Sequence, residues 1–172
     1  MSLNLIKGLE ELSAVIRESV LMENAEDGLL EDVETIITTY NNEYGVKEPC
    51  VWIIQHPTVV PNSGKANLSQ EVTLNTSFEF VCIEYDPDPM TAEMKGQNLA
   101  TRVGISVLKN YLKVQKERNT PRTISHIEFN TLYPVGEVTI TGKSEKVPAT
   151  SIVLDVVHRI NWKNCCKLLE GD

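Results

Sequence analysis

The stretch "SFEFVCIEYDPDPMTAEMKGQNLATRVG", Ser77 to Gly104, changes its hydrophobic period part-way along, and that change decides the fold. In the first half Phe78, Phe80 and Cys82 alternate with Glu79, Val81, Ile83 and Tyr85, the two-residue period of a strand. Apolar groups on both sides predict a strand covered on both faces. "DPDP" ends it, with Asp88 as the N-cap of a helix and Pro89 at the first helical position, where its missing N–H does no harm. The helix should run to about Glu117. Along it Ala92, Gly96, Ala100 and Gly104 fall at every fourth position, a smooth side that lets the backbone approach a sheet or another helix closely. Glycine inside a helix costs about 1 kcal/mol relative to alanine, so the spacing implies a packing reason.

Working back from this strand, "EVTLNT" extends it to Glu71. Fifteen residues to Tyr85 would span about 50 Å, more than the roughly 40 Å diameter of a domain this size. A continuous strand therefore overhangs its domain, and a bend near "LNTS" is the alternative. "CVWIIQ", Cys50 to Gln55, is a buried strand bounded by Pro49 and Pro57, followed by a loop from His56 to Gln70. Before it, Leu5, Leu9, Leu12, Ile16 and Val20 predict an amphipathic helix from about Leu3 to Met22, which "ENAEDG" breaks. Leu29, Val33, Ile36, Ile37 and Tyr40 then predict a second helix stopping at Gly45.

Working forward, Arg122 to Gly142 reads as a hairpin turning at "YPVG", with Pro134 and Gly136 in type I turn positions. "KSEKVPAT", Lys143 to Thr150, is a charged loop. "SIVLDVVHRINW" is the last strand, with Ile152, Leu154, Val156, His158, Ile160 and Trp162 on one side, and residues 163–172 are a short helix or tail. The whole predicts one α+β domain over 1–172: an acidic helical pair (1–48), an antiparallel or mixed sheet of about five strands with one long helix (49–162), and the tail.

Composition excludes several functions. The formal charge is −8, and the first 48 residues, with eleven acids against three bases, account for all of it. Arg102, Lys109, Lys113, Lys116, Arg118 and Arg122 form a basic run later on, so the molecule is expected to have an acidic end and a basic region. An acidic chain without a basic stripe beside aromatic platforms argues against specific nucleic-acid binding. No apolar run approaches the ~18 residues of a membrane span, and the acidic start does not read as a signal peptide, so the expected location is the cytoplasm.

Chemical motifs are few. "GEVTITGKSEK" resembles a phosphate-binding loop, but five residues rather than four separate Gly136 from "GKS". Asp86 and Asp88 with Glu84 could form a carboxylate cluster, yet capping and turn roles explain both aspartates. His126 should face solvent. His158 with Cys165 and Cys166 lacks a fourth metal ligand, and Cys50 and Cys82 read as buried free thiols. The expectation is no enzyme, no metal and no cofactor.

The amphipathic start "LIKGLEELSAVI", the strand "FEFVCIEY" followed by "DPDPMTAEMKGQNLATRVGISVLKNYL", and the closing "ATSIVLDVVHRINW" together resemble the tail-terminator or tail-completion proteins of tailed phages and archaeal tailed viruses. That resemblance implies a structural subunit forming a ring, expected as a hexamer, on the last ring of the tail tube. It would end tube growth and present a surface to the neck or head, its partners being itself, the tube protein and a head-completion protein. The site of assembly would be the host cytoplasm and the final location the virion. Subunit contacts are expected where Glu31 and Glu34 of one copy face Lys109, Lys113 and Lys116 of the next. Axial contacts are expected on the loops that carry Lys65 and Gln70, and Lys143 and Lys146. A head-closure subunit or a tube protein is the alternative within assembly, and a small enzyme or ligand module using His158 the alternative outside it.

Overall fold

The computed structural model describes residues 2–38, 47–59, 71–119, 123–139 and 146–161. Helix α1 (Ser2–Leu21) leads through turns to strand β1 (Thr35–Ile37). Strands β2 (Cys50–Gln55) and β3 (Glu71–Ile83), helix α2 (Pro89–Arg118), and strands β4 (Thr123–Thr139) and β5 (Lys146–Asn161) follow. The five strands form one mixed sheet in the order β1-β2-β3-β5-β4, so the fold is α+β as the pattern predicted. Only β1 and β2 run parallel; every other pair is antiparallel.

Strand β3 is continuous. It pairs with β5 from Glu71 opposite Asn161 to Ile83 opposite Ala149 with no register shift, so the bend near "LNTS" does not occur. One face of the sheet carries Phe78, Phe80, Cys82, Ile152, Leu154 and Val156, all buried in a core shared with Leu12, Ile16 and Val20 of α1 and Leu99, Val103 and Val107 of α2. The other face has its own smaller cluster of Cys50, Val81, Ile83, Val147 and Ala149.

Helix α2 begins as predicted. Asp88 accepts hydrogen bonds from Thr91 N at 2.9 Å and Thr91 Oγ1 at 2.6 Å, satisfying a donor the helix leaves open. Its small-residue side lies on the sheet. A Cβ on Gly96 would sit 2.9 Å from Thr150 Oγ1 and 3.7 Å from Cys82 O, and one on Gly104 3.3 Å from the Phe129 ring. The glycines are there because the sheet occupies the space of their side chains.

Two expectations fail. The second helix is absent among the described residues: Met22 to Asp32 form successive turns, and Thr35–Ile37 is a strand. Leu30 and Val33 are buried as expected, but turn chemistry places them. Asn24 Nδ2 donates to Leu30 O at 2.6 Å and to Val33 O at 3.0 Å, and a Cβ on Gly28 would lie 2.2 Å from Glu23 O. The β-branched "TII" then adds to the sheet edge beside β2. The acidic helical pair over 1–48 is thus one helix, a turn segment and a short strand, and Tyr40 lies outside the described residues.

The hairpin at "YPVG" is also corrected. Strand β4 continues through Tyr133 to Gly136: Pro134 pairs with Thr150 and Gly136 with Ala149, and the register shift between them takes up the one intervening residue. An edge strand tolerates proline at a bulge, where a missing N–H costs least. Strand β4 ends at Thr139, paired with Lys146, and residues 146–150 of the expected loop belong to β5. Ile160 and Asn161 extend β5, while Trp162 and residues 163–172 lie outside the described residues.

Gly96→Val should lower the unfolding free energy by about 1–3 kcal/mol through overpacking against Thr150. Gln97→Ala, on the exposed side, should stay within about 0.5 kcal/mol. Urea midpoints of the two variants measure the difference.

Candidate functional site

His158 is fully buried on the helix-covered face of the sheet. Its Nε2 shares a 2.9 Å hydrogen bond with Thr76 Oγ1, which in turn meets Thr58 Oγ1 at 2.8 Å. No Cys, Asp or Glu gathers around it: among the described residues there is no group of three metal-ligating side chains. This histidine is a satisfied core group. His126, as expected, is exposed.

The other face holds a different polar set. Glu79 accepts from His56 Nε2 at 2.9 Å through one carboxylate oxygen and from Ser151 Oγ at 2.6 Å through the other. Nucleophilic catalysis would need histidine between serine and carboxylate. Here the carboxylate lies between them, and Ser151 is buried, so the arrangement clamps β3, β5 and the end of β2 together. Nearby, Asp155 accepts from Ser77 Oγ and Asn130 Nδ2.

Part of the basic run pairs within one chain. Arg102 forks onto both carboxylate oxygens of Asp32 and also donates to Leu29 O at 3.0 Å. Arg118 binds Glu11 and Glu18 of α1. Lys109 pairs with Glu23 at 3.0 Å. These contacts run α1 antiparallel to α2.

Glu23 is the centre of this arrangement and was not singled out in the sequence. Although almost fully buried, it accepts from Asn110 Nδ2 at 2.8 Å, Lys109 Nζ at 3.1 Å and Leu29 N at 3.2 Å. The Asn110 hydrogen bond, followed by those from Lys109 and Leu29, holds its carboxyl below the ordinary 4.5 against the opposing effect of burial. The thiols move the other way. Burial, with Glu48 nearby, pushes Cys50 up to about 12, and burial raises Cys82 as well. Both are protonated and unreactive, as the sequence suggested.

The residues expected to make subunit contacts scatter. Glu31 accepts a hydrogen bond from Asp27 N at 3.1 Å, and Glu34 is exposed beside β1. Lys113 and Lys116 are exposed on α2 and form no ion pair among the described residues. Lys146 stands exposed at the start of β5. Lys65, Gln70 and Lys143 lie outside the described residues. A shallow depression of about 640 Å³ beside α2 is lined by Asp32, Glu84, Met94, Lys95 and Arg102, but its cations are occupied: Lys95 meets Asp86 at 3.1 Å and Glu84 at 3.8 Å.

What stands out is the side of α2 that faces away from the sheet. Met90, Met94, Ile105, Leu108 and Leu112 are 72%, 65%, 48%, 48% and 62% exposed. They recur at helical spacing, so they form one stripe. The sequence carries this signal: Leu99, Val103 and Val107 fall on one side of the helix, and Ile105, Leu108 and Leu112 on another. No helix among the described residues is long and apolar enough to cross a membrane, so lipid-spanning does not account for it.

No protein-family model matches this chain, and neither does any curated protein.

Acid should weaken the fold through Glu23. Its folded pKa is lowered, so the stability it supplies is complete above the ordinary value of 4.5 and lost as pH falls through the folded value. Urea midpoints of the wild-type protein should drop between about pH 6 and about pH 3, and Glu23→Gln should flatten that drop while starting lower. In a Cys165→Ser/Cys166→Ser background, an aromatic disulfide reagent should label Cys50 and Cys82 only on unfolding.

Proposed function

We propose that this chain is a non-catalytic assembly subunit of the tail-terminator kind, which forms a ring on the end of a tail tube, stops the tube growing and joins it to the neck. The observation that carries the assembly reading is the exposed apolar stripe of α2. Monomeric proteins rarely leave several large apolar side chains on one face in water, and burying them against another subunit removes that cost at about 25 cal/mol per Å². The stripe lies on a helix anchored to the sheet at Gly96 and Gly104, so it is presented rigidly, which limits the entropy lost on binding.

The polar groups support the same reading. His158, Glu79 and Asp155 are occupied in holding strands together. The tail-terminator assignment itself rests on the element order: a leading helix, a short strand, two further strands, a capped long helix and a closing pair of strands.

Light scattering on the purified protein should give a discrete mass that is a multiple of the 19.3 kDa chain. Added to tail tubes, it should bind their ends and stop elongation, as seen by electron microscopy. Open-ended polymerisation of the protein alone would favour a tube protein, and a persistent monomer that ignores tubes would overturn the proposal. His158→Leu should keep the same assembled mass as long as circular dichroism shows it folded; a loss of assembly in the folded variant would count against a purely structural histidine.

A further inference from the structure

We infer that the outer face of α2 pairs with the same face of a second copy of this chain, the two helices running antiparallel about a twofold axis near Thr101 and Ile105. The inference rests on the assembly reading and names the occupant of its contact face.

The geometry comes from the helix period. At about 100° per residue, Met90, Met94, Thr101, Ile105, Leu108 and Leu112 fall within one narrow stripe. It runs along a thirty-residue helix, about 45 Å long. When Thr101 is set opposite Ile105 of an antiparallel partner, Met94 meets Leu112, Asn98 meets Leu108, and Met90 meets the aliphatic stem of Lys116. Each methionine, flexible enough to fill an irregular gap, is thus matched by a leucine or a lysine stem rather than by itself.

Charge selects this direction over a parallel one. Lys109, Lys113 and Lys116 lie along one flank of the stripe in the C-terminal half of α2. At the N-terminal end of the same flank Glu84, Asp86 and Asp88 outnumber Lys95, which is already held by Asp86 and Glu84. Antiparallel pairing brings like flanks together, so Lys113 and Lys116 of each copy reach the acidic corner of the other, and the twofold axis makes the contact twice. A parallel pair instead brings unlike flanks together and keeps Lys113 and Lys116 of each copy a helix length away from the partner's acidic corner, which stays unmatched. These two lysines are the members of the basic run that the chain does not pair within itself among the described residues.

A contact of this kind is isologous and adds copies in pairs. The head-to-tail contacts that close a ring belong to other surfaces, so the two kinds of contact can be broken separately.

The experiment uses the full chain with Cys165→Ser and Cys166→Ser, in which Cys50 and Cys82 stay buried. Met94→Cys and Leu112→Cys are expressed singly and together from two plasmids, then oxidised and run on a non-reducing gel. Co-expression should give a covalent dimer and each single variant none. Leu108→Glu with Leu112→Glu should halve the mass in light scattering without changing the circular dichroism. A dimer from Met94→Cys alone would overturn the antiparallel pairing. An unchanged mass for the double glutamate variant, in a protein that still assembles, would overturn pairing through α2 but leave the assembly reading intact. If that variant keeps its mass but no longer binds tubes, the face belongs to the tube and the inference falls. A wild-type protein that is monomeric and ignores tubes would remove both.

Discussion

Everything on the described side of the sheet follows from how closely α2 lies upon it. At Gly96 the helix backbone is so near Thr150 that a single added carbon would collide with its hydroxyl oxygen. Such contact fixes which residues of α2 point inwards. Leu99, Val103 and Val107 flank the small-residue side and fill the core with Phe78, Phe80 and Leu154. With that side committed, the opposite side is committed too, and Met94, Ile105, Leu108 and Leu112 are held out in water. The outer stripe is therefore the counterpart of the inner glycines rather than a separate feature.

The second anchor is Glu23. Burying a carboxylate is costly unless its oxygens are fully hydrogen-bonded, and here Asn110, Lys109 and the Leu29 amide supply the bonds. They come from α2 and from the turn segment, while Glu23 itself follows α1. One side chain thus fixes three elements at once, and the long turn region after α1 is shaped around it. The same packing sets Glu11, Glu18, Glu23 and Asp32 of the acidic start against Arg118, Lys109 and Arg102 of α2.

Features that depend on neighbours in sequence were legible, and those that depend on neighbours in space were less so. The cap at Asp88, the proline after it, the small-residue interval and the alternation of β3 and β5 are local, and each is found where the pattern placed it. The turn segment misled because Leu29, Val33 and Ile36 fit helical spacing while Asn24 and Gly28 impose turns through contacts with Glu23 and Leu30 that no spacing reveals. "YPVG" misled because a turn signal cannot be told from an edge bulge until the partner strand is known. Ion pairs such as Arg102 with Asp32, seventy residues apart, arise only once α1 and α2 are laid antiparallel. The α2 stripe is legible in the helical spacing of Met90, Met94, Ile105, Leu108 and Leu112, but its exposure depends on which side of α2 the sheet covers.

The order of the sheet has a consequence for how the chain is made. Strand β5, the last of the described strands to be synthesised, lies between β3 and β4. Until it arrives, those two strands have no hydrogen-bonding partner in common, and the face that receives α2 lacks its Thr150, Ile152 and Leu154 floor. A growing chain can form its helices and its first hairpin-like pair, but the centre of the sheet closes only when β5 leaves the ribosome. Non-local closure of this sort is slow and leaves apolar strands waiting unpaired. For a protein that acts by associating, it also means that no partially made chain presents a finished contact face.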